Sequence, residues 1–409
     1  MTGDVPVITN KIMSKQSKYY HFYIHLFMLL ACIFSSCTRS KPRLAELPKK
    51  YEDIKVDNTN ISLFYDLDSL AEKFTLIPLE TRKESLIGEV SKLVRYKDLI
   101  IVLDKRISKN LFIFKQSGKF VGKIAEKDLE GGNISDVALR NDTIFVLSKS
   151  RVPELGFYDL QGKKMGAYKF SNLHPSNFCL TRDGLLTYSN FTANNEGYLY
   201  RVLSSSYKGK KPDRFGVLPY TSSQVRFVTL ALQNNIQTGT DQLLLHEFAN
   251  DTIYALDAKS GRPKDSSYRI DFKHGAMEDK LRDSNFLKDA TTYVVDRKIP
   301  TLYDMVWQSG KLIYFNYIYG EKEGFVLWNT KSKKQVFNSS AILSLKHGVQ
   351  IPTVWFGTDR DNEVLSYYNA SNIYSGKGSL ERFQKLSSAL DNYTPKDNPV
   401  ICLIELKNE

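Results

Sequence analysis

Cysteine is scarce in this sequence of 409 residues, which holds four in all. Beyond residue 37 only Cys179 and Cys402 remain, and they lie far apart in the chain. Small disulfide-stapled scaffolds need several close pairs, so this class is excluded. An isolated cysteine usually packs as a small core residue, which favours two buried free thiols over a single disulfide.

Recognisable catalytic and metal-binding spacings are also missing. The sequence has no GxSxG elbow, and the histidines beyond residue 37 show neither HxxxH nor HxH spacing. These absences predict no catalytic residue, no metal and no cofactor. The net charge of +12 is spread along the chain rather than gathered in a stripe interleaved with aromatics, so nucleic acid is not an expected partner.

The longest apolar run covers thirteen residues, from Phe22 to Phe34, which is too short to span a bilayer. Lysines precede it, and small residues follow it up to Cys37, as in an export signal. The Ser-Ser-Cys ending resembles the lipobox of bacterial lipoproteins, and that resemblance implies that Cys37 is acylated. An ordinary signal peptide with an incidental cysteine is the alternative.

The chain is therefore expected to have three parts. Residues 1–37 form the lipoprotein signal peptide with Cys37 as the lipidated residue, and residues 38–60 are polar, with two prolines, as in a flexible tether. Residues 61–409 form the folded domain. We expect the acyl chains to hold this domain at a bacterial membrane in the cell envelope, at the outer membrane facing the periplasm.

A repeated β pattern dominates the folded part. A polar turn, an apolar strand, a loop, a second strand and a glycine turn recur, with Asp98 and Gly118 twenty residues apart. Asp142 and Gly162 keep this spacing, as do residues 241 and 261. Repeated β units at intervals of about 40 to 50 residues are typical of propeller blades.

The pattern predicts an all-β fold, a six-bladed β-propeller whose blades begin near residues 86, 134, 177, 228, 301 and 351. The sixth unit lacks its last two strands locally. Val400 to Leu406 and Phe74 to Glu80 are apolar enough to supply them, so the N-terminal and C-terminal strands are predicted to close the ring in the last blade. Between them, Ser379 to Leu390 has near-helical apolar spacing and predicts a helix.

Particular segments resemble a known family. IPLET with SLIGEVSKL, KDLIIVLDK, LFIFKQSGKFVGKI and the closing NPVICLIELK are similar to six-bladed β-propeller lipoproteins abundant in Bacteroidetes, which are related in fold to NHL-type propellers. The resemblance covers about Phe74 to Lys407. It implies the fold and the cell-envelope location, and no activity. One departure is the loop AEKDLEGGN, where the family often has a Gly-rich, Pro-containing loop.

In a propeller, the loops between second and third strands and those between blades meet at one face of the central channel. A mouth lined by several loops suits a small or extended polar ligand. The candidate ligand-binding side chains on this face are Arg106, Arg151, Asn195, His246, Tyr319 and Glu321. Each is equally well explained as a solvated loop residue.

The sequence therefore favours a non-catalytic binding or protein-interaction module for an unknown protein or glycan ligand, with the membrane reached through the lipid anchor. The alternative is an exported glycan lyase or hydrolase at the channel mouth, with Glu126, Glu130, Glu154 or Glu247 as its carboxylates. Trp307, Trp328 and Trp355 are candidates for stacking on sugars, but burial is favoured because aromatics fill β cores.

Overall fold

The structure is a computed structural model that describes residues 42–130, 132–170, 173–182, 184–189, 200–205, 215–219, 236–239, 242–247, 250–275, 298–358, 360–374 and 379–407. Its first strands are β1 (Arg43–Leu44), β2 (Lys50–Val56), β3 (Tyr65–Asp66), β4 (Ala71–Pro78), β5 (Lys92–Tyr96), β6 (Leu99–Asp104), β7 (Asn110–Lys115), β8 (Phe120–Ala125), β9 (Asn133–Arg140), β10 (Thr143–Lys149), β11 (Glu154–Tyr158), β12 (Lys164–Lys169), β13 (Asn177–Thr181), β14 (Gly184–Tyr188), β15 (Tyr200–Ser205) and β16 (Phe215–Pro219).

The later strands are β17 (Ile236–Thr238), β18 (Gln242–Leu245), β19 (Thr252–Asp257), β20 (Ser266–Phe272), β21 (Thr301–Ser309), β22 (Leu312–Tyr319), β23 (Lys322–Asn329), β24 (Lys334–Ser339), β25 (Ile342–Ser344), β26 (Val349–Ile351), β27 (Phe356–Gly357), β28 (Glu363–Tyr368) and β29 (Val400–Leu406). Helices α1 (Ala370–Tyr374) and α2 (Ser379–Leu386) lie between the last two strands. Short 3₁₀ turns cover Leu67–Ser69, Glu126–Asp128 and Ser388–Leu390.

These strands form seven sheets. Sheet 1 is β5 to β8, sheet 2 is β9 to β12, sheet 3 is β13 to β16 with β1 added, and sheet 4 is β17 to β20 with β2 added. Sheet 5 is β21 to β24, and sheet 6 has the order β27-β28-β29-β4. The small sheet has the order β26-β25-β3.

The fold is an all-β propeller, and its seven sheets correct the six blades predicted from the sequence. The small sheet accounts for the difference, since the repeat pattern gave no sign of it. Its three strands have only two or three residues each, below the length at which alternation identifies a strand.

Consecutive sheets share their apolar faces. One buried cluster lies between each of the pairs 1–2, 2–3, 3–4, 4–5 and 5–6, and a further cluster joins sheet 6 to sheet 1. Strands covered on both faces are apolar on both faces, as in β6, where every residue is buried and all but the terminal Asp104 are apolar. The outer strand Lys164–Lys169, by contrast, has only exposed and half-buried residues.

The predicted closure is confirmed. β29 pairs antiparallel with β28 on one side and with β4 on the other, and Ile401 lies opposite Ile77. The segment before the first four-stranded repeat and the C-terminal strand therefore meet in sheet 6, and strand pairing covers both edges of β29.

The expected tether is wrong for residues 43–56. β1 pairs in parallel with β16, and β2 pairs in parallel with β20 over its whole length. Ile54 and Val56 are fully buried against the cluster of sheets 4 and 5. Two apolar side chains on one face were enough to dock this strand, although the surrounding composition is polar. Residues 38–41 lie outside the described residues.

Candidate functional site

A cavity of about 240 Å³ lies along the innermost strands and is lined by residues 92–96, 137–140, 178–180, 236–238 and 356–358. We call it the channel cavity. These residues belong to or directly follow the first strands of sheets 1, 2, 3, 4 and 6. The first strands contact one another in sequence around the ring, and β21 of sheet 5 lies between β17 and β27. The walls are therefore held by the paired sheets behind them.

Lys92 lies at the start of β5 and is neutralised by a carboxylate of sheet 2. Its Nζ is 2.7 Å from Asp136 Oδ1 and also donates to the Val137 carbonyl at 3.0 Å. Asp136 is buried, and its other oxygen accepts the backbone N–H of Phe178 at 3.0 Å. This carboxylate thus links the first strands of three sheets.

Arg95 is neutralised by Glu363 of sheet 6. Nη1 of Arg95 forms an ion pair with Glu363 Oε2, and the side chains are only 2% and 6% exposed. The pair joins sheet 1 to sheet 6, where the ring closes.

Arg140 ends β9 and has a different environment. Both of its Nη atoms donate to the Thr181 carbonyl at 2.5 Å. Among the described residues, no carboxylate forms an ion pair with it. Gln237 lines the same cavity, and its buried Nε2 has no hydrogen-bond partner in the described part of the chain.

Cys179 is the thiol of this cavity. Its Sγ lies 3.2 Å from the Thr238 hydroxyl, and burial raises the pKa of the thiol. The protonated form therefore persists at neutral pH, which makes Cys179 a poor nucleophile.

A second cavity, of about 400 Å³, lies beside Arg95 and is lined by residues 72–73, 95, 116, 360–363, 403 and 405–406. We call it the edge cavity. Its charges are mixed, since Lys73 is 3.4 Å from Glu405 and Arg95 pairs with Glu363. Neither sign of charge is in clear excess, unlike in the channel cavity.

A buried polar cluster joins sheets 3 and 4 near the ends of their second strands. Tyr188 donates to Glu247 Oε1 at 3.2 Å, and Arg201 Nη1 donates to Glu247 Oε2. Burial, reinforced by the charge of Glu247, raises the pKa of Tyr188 well above its usual range. The phenol therefore stays protonated at neutral pH, and none of the three residues lines either cavity.

Within the described ranges, no group of three or more His, Cys, Asp or Glu side chains is arranged to hold a metal ion. The same ranges contain no helix with the length and apolar character that crossing a membrane requires.

Residues 53–405 match the family designated "Domain of unknown function (DUF4934)". The chain belongs to the DUF4934 family. No curated protein matches it.

Among solved structures, this DUF4934 chain is similar to a predicted exported protein from Bacteroides fragilis, with a TM-score of 0.69 and 14% identity over 87% of this chain and 100% of that one. A member of the DUF4221 family from Bacteroides vulgatus matches with a TM-score of 0.42 and 12% identity, over 83% of this chain and 98% of that one. The first likeness shows the propeller fold.

The described loop residues that were predicted to bind a ligand do not line either cavity of the DUF4934 chain. Arg106 is exposed, and its Nε is 3.5 Å from Glu89. Arg151 and Glu321 are exposed, and Tyr319 is half-buried against the cluster of sheets 4 and 5.

His246 is completely buried, which removes it from a solvent-facing mouth in this structure. Asn195 and the lipidation residue Cys37 lie outside the described residues. A ligand role for the loop residues stays a prediction, because none of the geometry described here brings them together.

The loop carrying Arg106 is nevertheless well organised by Asp104. This buried carboxylate accepts backbone N–H groups from Gly88 at 2.9 Å and Ile107 at 2.9 Å, together with the Ser108 hydroxyl at 2.8 Å. Burial alone would raise its pKa, but these hydrogen bonds outweigh burial and lower the pKa below 3.8. Asp104 therefore fixes the loop between β6 and β7.

Sequence reasoning missed Lys92, Arg95, Arg140 and Gln237, which are the charged and amide side chains that line the channel cavity. A signal was present: a charged residue interrupts an otherwise apolar strand in KLVRY and at the end of NISDVALR. Such a residue in a first strand faces either a neighbouring sheet or the channel, and the sequence does not distinguish these positions. The three tryptophans are buried, which confirms their core placement.

Proposed function

We propose that this protein is an exported, membrane-anchored propeller that binds a ligand in its channel cavity without catalysing a reaction. The observation that supports this function is the cavity itself, enclosed by first strands of five sheets. Side chains held by such a ring need little ordering on binding, and this favours affinity.

The volume limits the ligand. A dry cavity of about 150 Å³ holds benzene, and pockets for drug-sized molecules span about 300–1,000 Å³. The channel cavity, at about 240 Å³, falls between these sizes. It suits a single sugar-sized ring or the end group of a longer ligand.

The location is part of the same proposal. The segment before residue 38 reads as an export signal ending in Cys37, and the similar Bacteroides fragilis structure is that of a predicted exported protein. Acylation of Cys37 would place the propeller at a membrane of the cell envelope, at the outer membrane facing the periplasm. Kinship with NHL-type propellers also remains a prediction. Labelling with a palmitate analogue should mark the native chain and fail for Cys37→Ser; equal labelling of both would contradict the anchor.

Binding is tested on a form that begins at residue 38. Every described strand lies within it, so the ring and its core are complete. A glycan and peptide array should identify a ligand. Thr238→Phe adds a ring at an exposed lining position and should abolish binding, whereas Thr59→Phe, at an exposed position outside the lining, should leave it unchanged. Unchanged binding by Thr238→Phe would indicate that the ligand binds at the loops and not in the channel cavity.

The alternative function is an exported glycan lyase or hydrolase. Its candidate catalytic residues are Tyr188, Arg201 and Glu247, because Tyr188 and Arg201 both form hydrogen bonds with Glu247. Their burial argues against contact with a polymer. Incubation with uronate-containing polysaccharides, followed by measurement of ultraviolet absorbance and reducing ends, tests it. Turnover by the native chain that Tyr188→Phe abolishes would favour the enzyme.

A further inference from the structure

The channel cavity has an excess of positive charge and of hydrogen-bond donors. Resting on the binding function proposed above, we infer that the cavity takes the anionic group of its ligand, a carboxylate, sulfate or phosphate, with Arg140 as the main contact.

The charges of the cavity lining favour an anionic ligand. Its cations are Lys92, Arg95 and Arg140, and no aspartate or glutamate belongs to the lining. Asp136 and Glu363 stand behind the first two and balance them. Within the described residues, Arg140 lacks such a partner, so the lining retains one unbalanced positive charge.

The carboxylate nearest to Arg140 in sequence is already engaged. Asp142 lies in the turn after β9, where its Oδ1 is 2.5 Å from Lys97 Nζ and 3.2 Å from the Tyr96 hydroxyl. Paired with Lys97, it does not cancel the charge of Arg140. In a partly enclosed cavity, where screening by water is reduced, an unbalanced charge attracts an anion more strongly than it does on an open surface.

The geometry of Arg140 leaves N–H donors available for a ligand. A guanidinium has five N–H donors, and Arg140 directs its two Nη atoms at one oxygen, the Thr181 carbonyl. That contact fixes the group against sheet 3 and leaves further N–H donors for a ligand. Gln237 also lines the cavity, and its Nε2 is a buried donor with no hydrogen-bond partner among the described residues.

These donors select the ligand class. Arginine pairs best with planar or tetrahedral oxyanions, to which it presents two parallel N–H groups. Given a volume of about 240 Å³, the fitting ligand is an acidic sugar or a comparable small acid, or an acidic end group of a longer chain. A neutral ring of the same size would leave the charge of Arg140 unmatched.

Isothermal titration of the form beginning at residue 38 tests this inference, with glucuronate and glucose as a charged and a neutral ring of matched size. Inorganic sulfate and phosphate serve as further arms that distinguish the kind of oxyanion. Arg140→Gln removes the cation, and Gln237→Glu places a carboxylate in the cavity with almost no change of shape. Arg269→Gln is the control, because Arg269 is an exposed arginine that pairs with Asp53 outside the lining.

We expect at least one of the three anions to bind, and glucose to bind about ten-fold more weakly or worse than that anion, since a hydrogen bond to a charged group is lost. Arg140→Gln and Gln237→Glu should each weaken anion binding by about ten-fold or more, and Arg269→Gln should not. Thermal unfolding establishes that each variant is folded. If Arg140→Gln does not fold, Gln237→Glu decides.

Three results would overturn the inference: glucose binding as tightly as the anions, no binding of any anion, or full anion binding by folded Arg140→Gln and Gln237→Glu. The proposed binding function fails separately. A neutral ligand from the array whose binding is lost in Thr238→Phe would keep the cavity as a binding site while refuting its preference for anions.

Discussion

The ion pair of Arg95 and Glu363 allows a sharp test of how the ring is closed. The two side chains are almost fully buried and connect β5 of sheet 1 to the first residue of β28 in sheet 6. We expect Glu363→Gln to destabilise the protein strongly, because it leaves a charged and almost fully buried guanidinium without its partner carboxylate.

The magnitude follows from burial. Removing one member of a buried pair typically costs about 3–5 kcal/mol, whereas replacing both members by apolar residues of similar volume is about neutral. The double variant Arg95→Met with Glu363→Leu should therefore recover most of the loss of Glu363→Gln. An exposed pair, Arg82 with Glu80, is the control, and Arg82→Met should cost at most about 1 kcal/mol.

Urea unfolding of the three variants beside the native chain measures these free energies. A loss of 3–5 kcal/mol is a large part of the roughly 5–15 kcal/mol that stabilises a typical protein, so the midpoint should shift clearly. If Glu363→Gln costs no more than Arg82→Met, the pair is hydrated. The described contact between sheets 6 and 1 would then be refuted.

Three further predictions concern other parts of the ring. Ile54→Ala should lower the unfolding free energy by about 2–5 kcal/mol, whereas Lys55→Ala, at an exposed position, should lower it by at most about 0.5 kcal/mol. Urea unfolding measures both values, and an equally small loss for the two variants would show that residues 50–56 are a tether and not a docked strand. Because the pKa of Asp104 is lowered in the folded state, the ionised carboxylate stabilises the fold fully above its unfolded pKa near 3.8, and this stabilisation is lost as pH falls through the folded pKa. Unfolding measured over a series of pH values should therefore show that Asp104→Asn is less stable than the native chain at pH 7 and that the difference vanishes in acid. A difference that stays constant with pH would contradict this. Cys179 and Cys402 should both resist a thiol reagent in the native state, because both are buried and burial raises the pKa of Cys402 to about 12. Both should react once the chain is unfolded without reductant, and the absence of any reactive thiol at that point would show that they form a disulfide.

The repeated glycines show what local sequence determines. Gly118, Gly162 and Gly261 all have positive φ, near 84°, 86° and 76°, in the turn between the third and fourth strands of sheets 1, 2 and 4. At Gly118 a Cβ would lie 2.1 Å from the Pro78 carbonyl oxygen. The glycine is thus required by backbone conformation and, at this position, by close packing against sheet 6.

Other expectations rested on the same kind of local signal. The segment at Ser379–Leu386 is helical as its spacing predicted, and both cysteines beyond residue 37 are buried and free. The errors came from short or composite elements. β2 has only two fully buried side chains, and the small sheet is assembled from segments more than 270 residues apart in the chain.

The strand–turn–strand repeat, its glycine turns and the closing role of residues 74–80 and 400–406 were determined by the sequence alone, because alternation and turn chemistry are local properties. The balance of charge in the channel was decided only by the tertiary structure. Lys92, Arg95 and Arg140 look alike in the sequence, but Asp136 and Glu363 reach the first two from other sheets. An ion pair depends on distance in space, and no local pattern encodes which carboxylate a neighbouring sheet brings within reach.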